Sequence, residues 1–162
     1  MASAPARGSG IRLPPMSRFW SVALRWFYRF LVFSDPLVRA WYRPFGLGNT
    51  VDLVVRGRRT GRPRPVLLGL LRVDGRMYLG HPNGDVAWTR NFEAAGEGEL
   101  DIRGLPPFLV RPIRLPPGPE RQAVIRATWR QHPFPGSLMY YLSRGHIRAV
   151  GTFFRLEPPA TS

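Results

Sequence analysis

Apolar and basic positions recur with a helical period between residues 18 and 33. Arg18, Arg25 and Arg29 are spaced by seven and four residues, which places them on one face of a helix. Aromatic and aliphatic residues fill most of the remaining positions. The pattern predicts a basic amphipathic helix, too short and too often interrupted by arginine to span a bilayer. Two interpretations stay open: the helix lies on an anionic membrane, or it packs on its own domain.

Short apolar runs separated by turn residues follow from residue 50 onward and predict a sheet. Strands are expected at residues 51–55, 66–73, 76–80, 99–103, 108–115 and 151–156. Helices are expected at residues 36–44, 88–95 and 120–131. Asp74 and Gly75 are typical of a hairpin turn, and Asp85 is the expected N-cap of the helix at residues 88–95. The pattern predicts an α+β fold, mainly β, in which helices pack on a small antiparallel barrel.

The chain has room for one globular domain. It contains 162 residues, of which 44% are hydrophobic. Residues 1–17 are rich in Ala, Ser, Gly and Pro and predict a disordered leader. Residues 18–48 form the expected helical N-terminal segment, residues 49–157 the ligand-binding barrel, and residues 158–162 a short tail.

Charge and cysteine content narrow the classes of partner. All 24 basic residues are arginine, and the formal net charge is +14. Such a surface favours phosphorylated cofactors, acidic lipid headgroups and, without sequence specificity, nucleic acid. The chain has no cysteine, which excludes disulfides, thiolate nucleophiles and cysteine metal sites. This composition fits a reducing cytoplasm.

The segment from Arg56 to Arg64 is the strongest functional signal, with five arginines in nine residues between two strand-like runs. Guanidinium groups match phosphate and carboxylate in a bidentate manner. Gly57 and Gly61 allow the backbone to turn tightly and to bring N–H groups near an anion. The segment therefore predicts an anion-binding loop, and the alternative is a solvated hairpin tip.

The usual catalytic motifs are absent from the sequence, including a Gly-x-Ser-x-Gly elbow, a phosphate-binding Walker loop and a His-Glu-x-x-His zinc motif. His81, His132 and His146 do not stand at metal-ligand spacings. They are expected to be turn or surface histidines, and no metal site is predicted. The remaining features are parts of a pocket for a phosphorylated aromatic cofactor that would itself carry the chemistry.

Two segments together resemble the deazaflavin-dependent nitroreductase and quinone reductase family. The first is Gly57-Arg58-Arg59-Thr60-Gly61-Arg62-Pro63-Arg64, and the second is Trp88-Thr89-Arg90-Asn91-Phe92. The family pattern is Gly-Arg-Lys-Ser-Gly-x-x-Arg, a glycine-rich turn, and then Trp-x-x-Asn-Leu. The resemblance implies a split β-barrel related to pyridoxamine-phosphate oxidases, closed by a strand within residues 148–156. The chain departs from the family pattern at Leu67, Gly69, His81 and Pro82.

The resemblance implies a reduced deazaflavin cofactor (coenzyme F-420) and hydride transfer to a quinone, a nitroaromatic compound or a similar electrophile. The residues carried over to the cofactor site are Arg58, Arg59, Thr60, Gly61, Arg64, Asn83, Gly84, Trp88 and Asn91. Tyr140 and Tyr141 are candidates for donating to the developing anion, and His81 is a candidate for replacing a hydroxyl or amine beside the ring. For Trp88 the alternative is a core aromatic, and for Asn91 a helix-surface amide.

Other functions stay open beside this one. The same fold could bind flavin mononucleotide (FMN) or haem. A non-enzymatic module for nucleic acid is a further alternative, although no specific nucleic acid is expected, because the arginines are spread through the chain. A peripheral membrane protein that uses residues 18–33 as an anchor is compatible with enzymatic activity. The resemblance also implies a homodimer, since related barrels often dimerise.

Overall fold

The computed structural model describes residues 15–33 and 48–159. Its helices are α1 (Pro15–Phe33), α2 (Ala87–Ala95), α3 (Pro119–Gln131), α4 (Gly136–Leu142) and α5 (Arg144–Val150). Its strands are β1 (Thr50–Arg56), β2 (Pro63–Gly69), β3 (Leu71–Val73), β4 (Arg76–His81), β5 (Gly98–Asp101), β6 (Phe108–Arg114) and β7 (Thr152–Glu157). The predicted helix at residues 36–44 lies outside the described residues, and so does most of the predicted leader. Helix α1 begins at Pro15, inside the segment predicted as leader.

The strands form one antiparallel sheet in the order β2-β1-β5-β6-β7-β4-β3. The sheet curls so that β2, at one edge, approaches β4 near the other edge. This curled seven-stranded sheet with helices packed around it confirms the predicted split β-barrel. A turn at Asp74 and Gly75 joins β3 to β4, as predicted, with φ angles of 50° and 75°.

Two hydrophobic clusters lie on opposite faces of the sheet. The inner cluster fills the barrel and includes Leu79 and Phe154. The outer cluster packs α3, α4 and α5 on the sheet and includes Tyr78 and Phe153. Because neighbouring residues of a strand point to opposite faces, Tyr78 and Leu79 belong to different clusters. The sheet therefore separates the barrel interior from the helical layer.

Some boundaries differ from the sequence prediction. The strand expected at residues 66–73 is divided at Leu70 into β2, which pairs with β1, and β3, which pairs with β4. At the division, the backbone N–H of Leu70 donates to the carbonyl of Asn49, 2.7 Å away. Residues 136–150 form α4 and α5, which the sequence analysis did not predict. The closing strand runs from Thr152 to Glu157, which confirms the strand predicted at residues 151–156. Residues 148–150, which the resemblance includes in the closing segment, belong to α5.

The prediction that Asp85 caps the helix after β4 was also wrong. The N-cap of α2 is Val86. The Thr89 hydroxyl accepts from the Val86 N–H and donates to the Val86 carbonyl, both at 2.9 Å. Asp85 instead accepts from Arg114 and Thr152, each at 2.7 Å. The carboxylate thus joins the start of α2 to strands β6 and β7.

Helix α1 docks on the domain along one side. Leu24 is fully buried, and Ser17 is nearly so. The Ser17 hydroxyl contacts Nδ1 of His146 at 2.8 Å, and the Asn83 side chain donates to the carbonyl of Ser21 at 3.2 Å. These contacts attach α1 to α5 and to the turn after β4. None of the helices in the described part of the chain combines the length and apolar content needed to cross a membrane.

Candidate functional site

The arginine-rich loop between β1 and β2 has an ordered backbone. The N–H of Gly57 donates to the carbonyl of Arg62 at 2.9 Å, and the N–H of Gly61 donates to the carbonyl of Gly57 at 2.7 Å. Gly61 has a φ of +64°, which favours glycine. Gly57 is buried, and a Cβ there would lie 3.1 Å from the Thr60 hydroxyl and 3.2 Å from Nε of Arg64. The two glycines therefore have structural reasons to stand in this loop.

Asn91 on α2 joins this loop to the helix that follows β4. Its Oδ1 accepts from the backbone N–H of Arg58 at 3.3 Å and from Nη1 of the same arginine at 3.0 Å. Asn91 is only 7% exposed, so it is a buried loop anchor and not a helix-surface amide. One amide oxygen thus fixes both the backbone and the guanidinium of Arg58.

The other arginines of the loop project into solvent. Arg59, Arg62 and Arg64 are exposed, and no carboxylate among the described residues lies within ion-pair distance of them. Arg90 on the neighbouring helix α2 is exposed as well. The loop therefore presents three guanidinium groups without a described acidic partner, those of Arg59, Arg62 and Arg64, and forms a surface suited to a polyanion.

Trp88 anchors α2 in the barrel. It is 7% exposed and packs edge-on against Phe154, with ring centroids 6.2 Å apart. Phe92, one turn later, is fully buried against the same ring at 5.8 Å. The Trp88 Nε1 is one of two buried side-chain polar atoms in the described part of the chain without a hydrogen-bond partner, and the other is Oδ1 of Asn49. The indole N–H is thus a donor with no acceptor.

The turn at His81 to Gly84 makes its hydrogen bonds within the protein. The N–H of Asn83 donates to Nδ1 of His81 at 3.2 Å, and the N–H of Gly84 donates to the carbonyl of His81 at 3.3 Å. Gly84 has a φ of +76°, and a Cβ there would lie 2.7 Å from the carbonyl oxygen of Val150. The turn is shaped by its contact with α5.

The prediction that the three histidines are turn or surface residues was wrong for His146, which is 4% exposed and lies in α5. His81 lies at the predicted turn but is only 8% exposed, and His132 is partly buried. Burial lowers the pKa of His81 to about 4, so its imidazole is neutral at pH 7. Since Nδ1 of His81 accepts a hydrogen bond, its ring proton lies on Nε2.

His146 connects helix α1 to the turn after β4, a role that the sequence analysis missed. Its Nε2 donates to Oδ1 of Asn83 at 2.8 Å, and its Nδ1 accepts from the Ser17 hydroxyl. The two partners lie 63 and 129 positions away in the sequence. Only the assignment of Asn83 and Gly84 to the cofactor site, which the resemblance implied, pointed to this region.

The two candidate tyrosines lie away from the arginine loop. Tyr140 belongs to the outer cluster, on the opposite face of the sheet from Trp88. It contacts the ring of His132, which in turn lies against Gly69 at the end of β2. Strand β2 holds that end roughly 20 Å from its start at the arginine loop, at about 3.3 Å per residue. Tyr141 is exposed and stacks with Arg144 at 4.3 Å.

Solved structures with a similar fold cover most of the barrel. The haem storage protein HutZ from Vibrio cholerae matches with a TM-score of 0.51 and 13% identity, over 78% of this chain and 91% of HutZ. A candidate 5-nitroimidazole antibiotic resistance protein from Bacteroides thetaiotaomicron matches with a TM-score of 0.52 and 8% identity, over 70% of this chain and 74% of that protein. A conserved hypothetical protein from Mycobacterium tuberculosis matches with a TM-score of 0.50 and 14% identity, over 69% and 74%.

No protein-family model matches this sequence, and the search of curated proteins finds no match. Identities this low show a shared fold and leave the ligand undetermined. The chain is thus a split β-barrel protein with an ordered, arginine-rich loop at one end of the barrel.

Proposed function

We propose that this protein is an oxidoreductase that uses a reduced deazaflavin coenzyme to reduce a quinone, a nitroaromatic compound or a similar electrophile. The observation that carries the proposal is the double hydrogen bond from Arg58 to Asn91. It joins two segments that stand 33 residues apart and that together resemble one family motif. A solvated hairpin tip would not need a buried amide to hold its backbone and its guanidinium.

The residues of the loop fit the anionic end of such a coenzyme. Arg59, Arg62 and Arg64 are exposed and lack a described carboxylate partner, so they can bind phosphate and carboxylate groups without first breaking an ion pair. Arg58 has a different role, since its guanidinium is held by Asn91. We assign Arg58 to holding the loop and its exposed neighbours to direct contact with the coenzyme tail.

The fit at the aromatic end rests on Trp88. Its buried indole N–H lacks an acceptor, and a carbonyl oxygen of a bound ring could satisfy it. The backbone N–H groups of Asn83 and Gly84 already donate to His81. We therefore expect this turn to shape the site more than to donate hydrogen bonds to the ring.

When bound, the reduced coenzyme supplies a hydride, and the acceptor also takes up a proton. The protein binds and orients the two reactants. Burial keeps His81 neutral at pH 7, and Tyr140 lies on the far face of the sheet from Trp88. We therefore propose that solvent supplies the proton. We also expect the protein to be cytoplasmic and to form a homodimer. Light scattering of the purified protein would test the homodimer.

A fluorescence titration with the oxidised deazaflavin coenzyme tests the cofactor assignment, with FMN and haem titrated in parallel. The double variant Arg59→Gln/Arg64→Gln removes two exposed guanidinium groups of the loop. Each charge-assisted hydrogen bond contributes about 1.5–3 kcal/mol, so binding should weaken by at least about tenfold. The matched control, Arg126→Gln/Arg130→Gln, removes the same charge from exposed positions of α3.

Tight, saturable binding that the loop variant loses and the control keeps would support the proposal. If both variants lost the same affinity for the coenzyme, the net charge of the protein and not the loop would explain the effect. A preference for FMN or haem would keep the fold and replace the cofactor. If the deazaflavin binds, reduced coenzyme is mixed with a quinone or a nitroaromatic compound, and its oxidation is followed by absorbance. Failure to oxidise any acceptor would contradict the enzymatic part of the proposal.

A further inference from the structure

We propose that the outward side of helix α1 is a docking surface for an anionic lipid membrane. The inference rests on the difference between the buried side of α1, which packs on the domain, and its exposed side. Its inward side carries Ser17 and Leu24, which are buried against the rest of the chain. Docking on the domain therefore uses only part of the helix, and the residues that the structure describes leave the opposite side uncovered.

The uncovered side carries large apolar side chains. Phe19, Val22 and Trp26 are 64%, 50% and 68% exposed. At about 100° per residue they fall within a sector of roughly 60°, opposite Ser17 and Leu24. Phe19 and Trp26 lie about 10 Å apart along the helix axis, so the three residues form a continuous apolar strip. We call this strip the outer strip.

A row of arginines runs beside the outer strip. Arg18, Arg25 and Arg29 are all exposed and lie within a sector of about 40° between the outer strip and the docked side. Helix α1 contains no acidic residue, so this row is positive along about 16 Å of the helix. The long stems of these side chains allow the charges to reach outward from the helix surface.

The combination matches the headgroup region of an anionic bilayer. Apolar side chains enter the boundary between headgroups and acyl chains, tryptophan prefers that depth, and arginines bind lipid phosphates beside it. A nucleic acid would use the arginines but has no apolar layer for Val22 and its neighbours. A second copy of this chain would bring the same positive charges against one another. Charge and chemistry therefore favour the membrane, and α1 would lie flat on it.

Co-sedimentation of the full chain with lipid vesicles tests the inference. Vesicles of phosphatidylcholine alone are compared with vesicles that also contain phosphatidylglycerol. We expect binding only to the anionic vesicles and weaker binding at high salt. The triple variant Arg18→Gln/Arg25→Gln/Arg29→Gln should bind roughly 100-fold more weakly, because each arginine near the surface contributes about a fivefold gain.

The double variant Phe19→Ser/Trp26→Ser tests the outer strip and should lose at least about tenfold in vesicle affinity. Its control is Leu138→Ser/Leu142→Ser, which removes two large apolar side chains, each about half exposed, from α4. Circular dichroism and thermal unfolding confirm that each variant is folded. Trp26 fluorescence, assigned with Trp26→Phe, should shift to the blue on the anionic vesicles.

Three results would overturn the inference. The first is no binding to either kind of vesicle, and the second is equal loss of binding in the α4 control. The third is that the α1 residues govern binding to RNA or self-association instead. Deazaflavin titration of the same variants keeps this inference separate from the proposed function, because none of the substituted α1 residues lies in the arginine-rich loop.

Discussion

At the scale of single residues, the side-chain amide of Asn91 holds both the backbone and the guanidinium of Arg58. One carbonyl oxygen on α2 accepts two hydrogen bonds from Arg58, one of them from a charged group. Hydrogen bonds to charged groups stabilise more than neutral ones. The amide holds the loop from outside the loop, so removing it should loosen the backbone that presents the other arginines.

We expect Asn91→Ala to lower the free energy of unfolding by about 1–3 kcal/mol and to weaken deazaflavin binding by about tenfold. Urea unfolding and fluorescence titration measure the two effects. Gln122→Ala, which removes an amide from α3, is the control and should leave both unchanged. A folded Asn91→Ala protein with unaltered affinity would show that the anchored loop does not bind the coenzyme.

His81 makes stability depend on pH. Burial lowers the pKa of its imidazole from 6.5 to about 4 in the folded protein. Between these values the unfolded chain binds the proton more readily, so stability present above pH 6.5 is lost as the pH falls toward 4. The loss from this one group by pH 4 is about 3 kcal/mol.

Unfolding free energies measured at several pH values between 7 and 4 check this dependence. His81→Asn retains an acceptor near the position of Nδ1 for the Asn83 N–H and should flatten the profile. Some slope should remain, because burial also lowers the pKa of His132 and His146. An identical profile in His81→Asn would assign the whole effect to other groups.

At the scale of elements, the contact between the turn after β4 and the end of α5 fixes the base of the site. Gly84 has a φ of +76° and lies against the carbonyl of Val150. Gly75 in the hairpin has almost the same φ, +75°, but a Cβ there would meet nothing within 4 Å. A comparison of substitutions at the two glycines therefore distinguishes the cost of backbone strain from the cost of close packing.

Gly75→Ala should cost about 1–2 kcal/mol, the strain of the left-handed conformation alone. Gly84→Ala should cost about 1–3 kcal/mol more, because its new methyl group must displace a backbone carbonyl. Chemical denaturation of both variants against the natural chain provides the comparison. Equal costs would mean that the turn and α5 can separate without loss.

The sequence predicted elements well where the pattern was local. The period of α1, the hairpin at Asp74 and Gly75, and helices α2 and α3 all appear in the structure. Helices α4 and α5 were missed because they are short and follow several prolines and glycines. The division of β2 from β3 coincides with a change of partner strand from β1 to β4, which no local pattern reveals.

The site was predictable only in part for the same reason. The loop and the Trp-x-x-Asn helix could be read from the sequence, but the contact between Arg58 and Asn91 could not. The contact of His146 with Ser17 and Asn83 also joins distant segments. Burial likewise depends on the whole fold, which is why the environment of the histidines was misjudged.

At the scale of the whole molecule, we assign arginines on two separate surfaces to the binding of anions. One lies on the loop between β1 and β2, and the other follows helix α1. The net charge of +14 creates a positive field that acts on any anion in solution. Coenzyme binding and vesicle binding should therefore both weaken with salt, while only local substitutions distinguish the two surfaces.

The division of the hydrophobic residues between two faces of the sheet has a dynamic consequence. Two cores that share only the sheet can open as separate cooperative units. We expect amides of α3, α4 and α5 to exchange with deuterium through openings that leave β1, β5 and β6 protected. Native-state hydrogen exchange in low urea would show two groups of amides with distinct opening free energies. The helical layer would then open while the barrel keeps its shape.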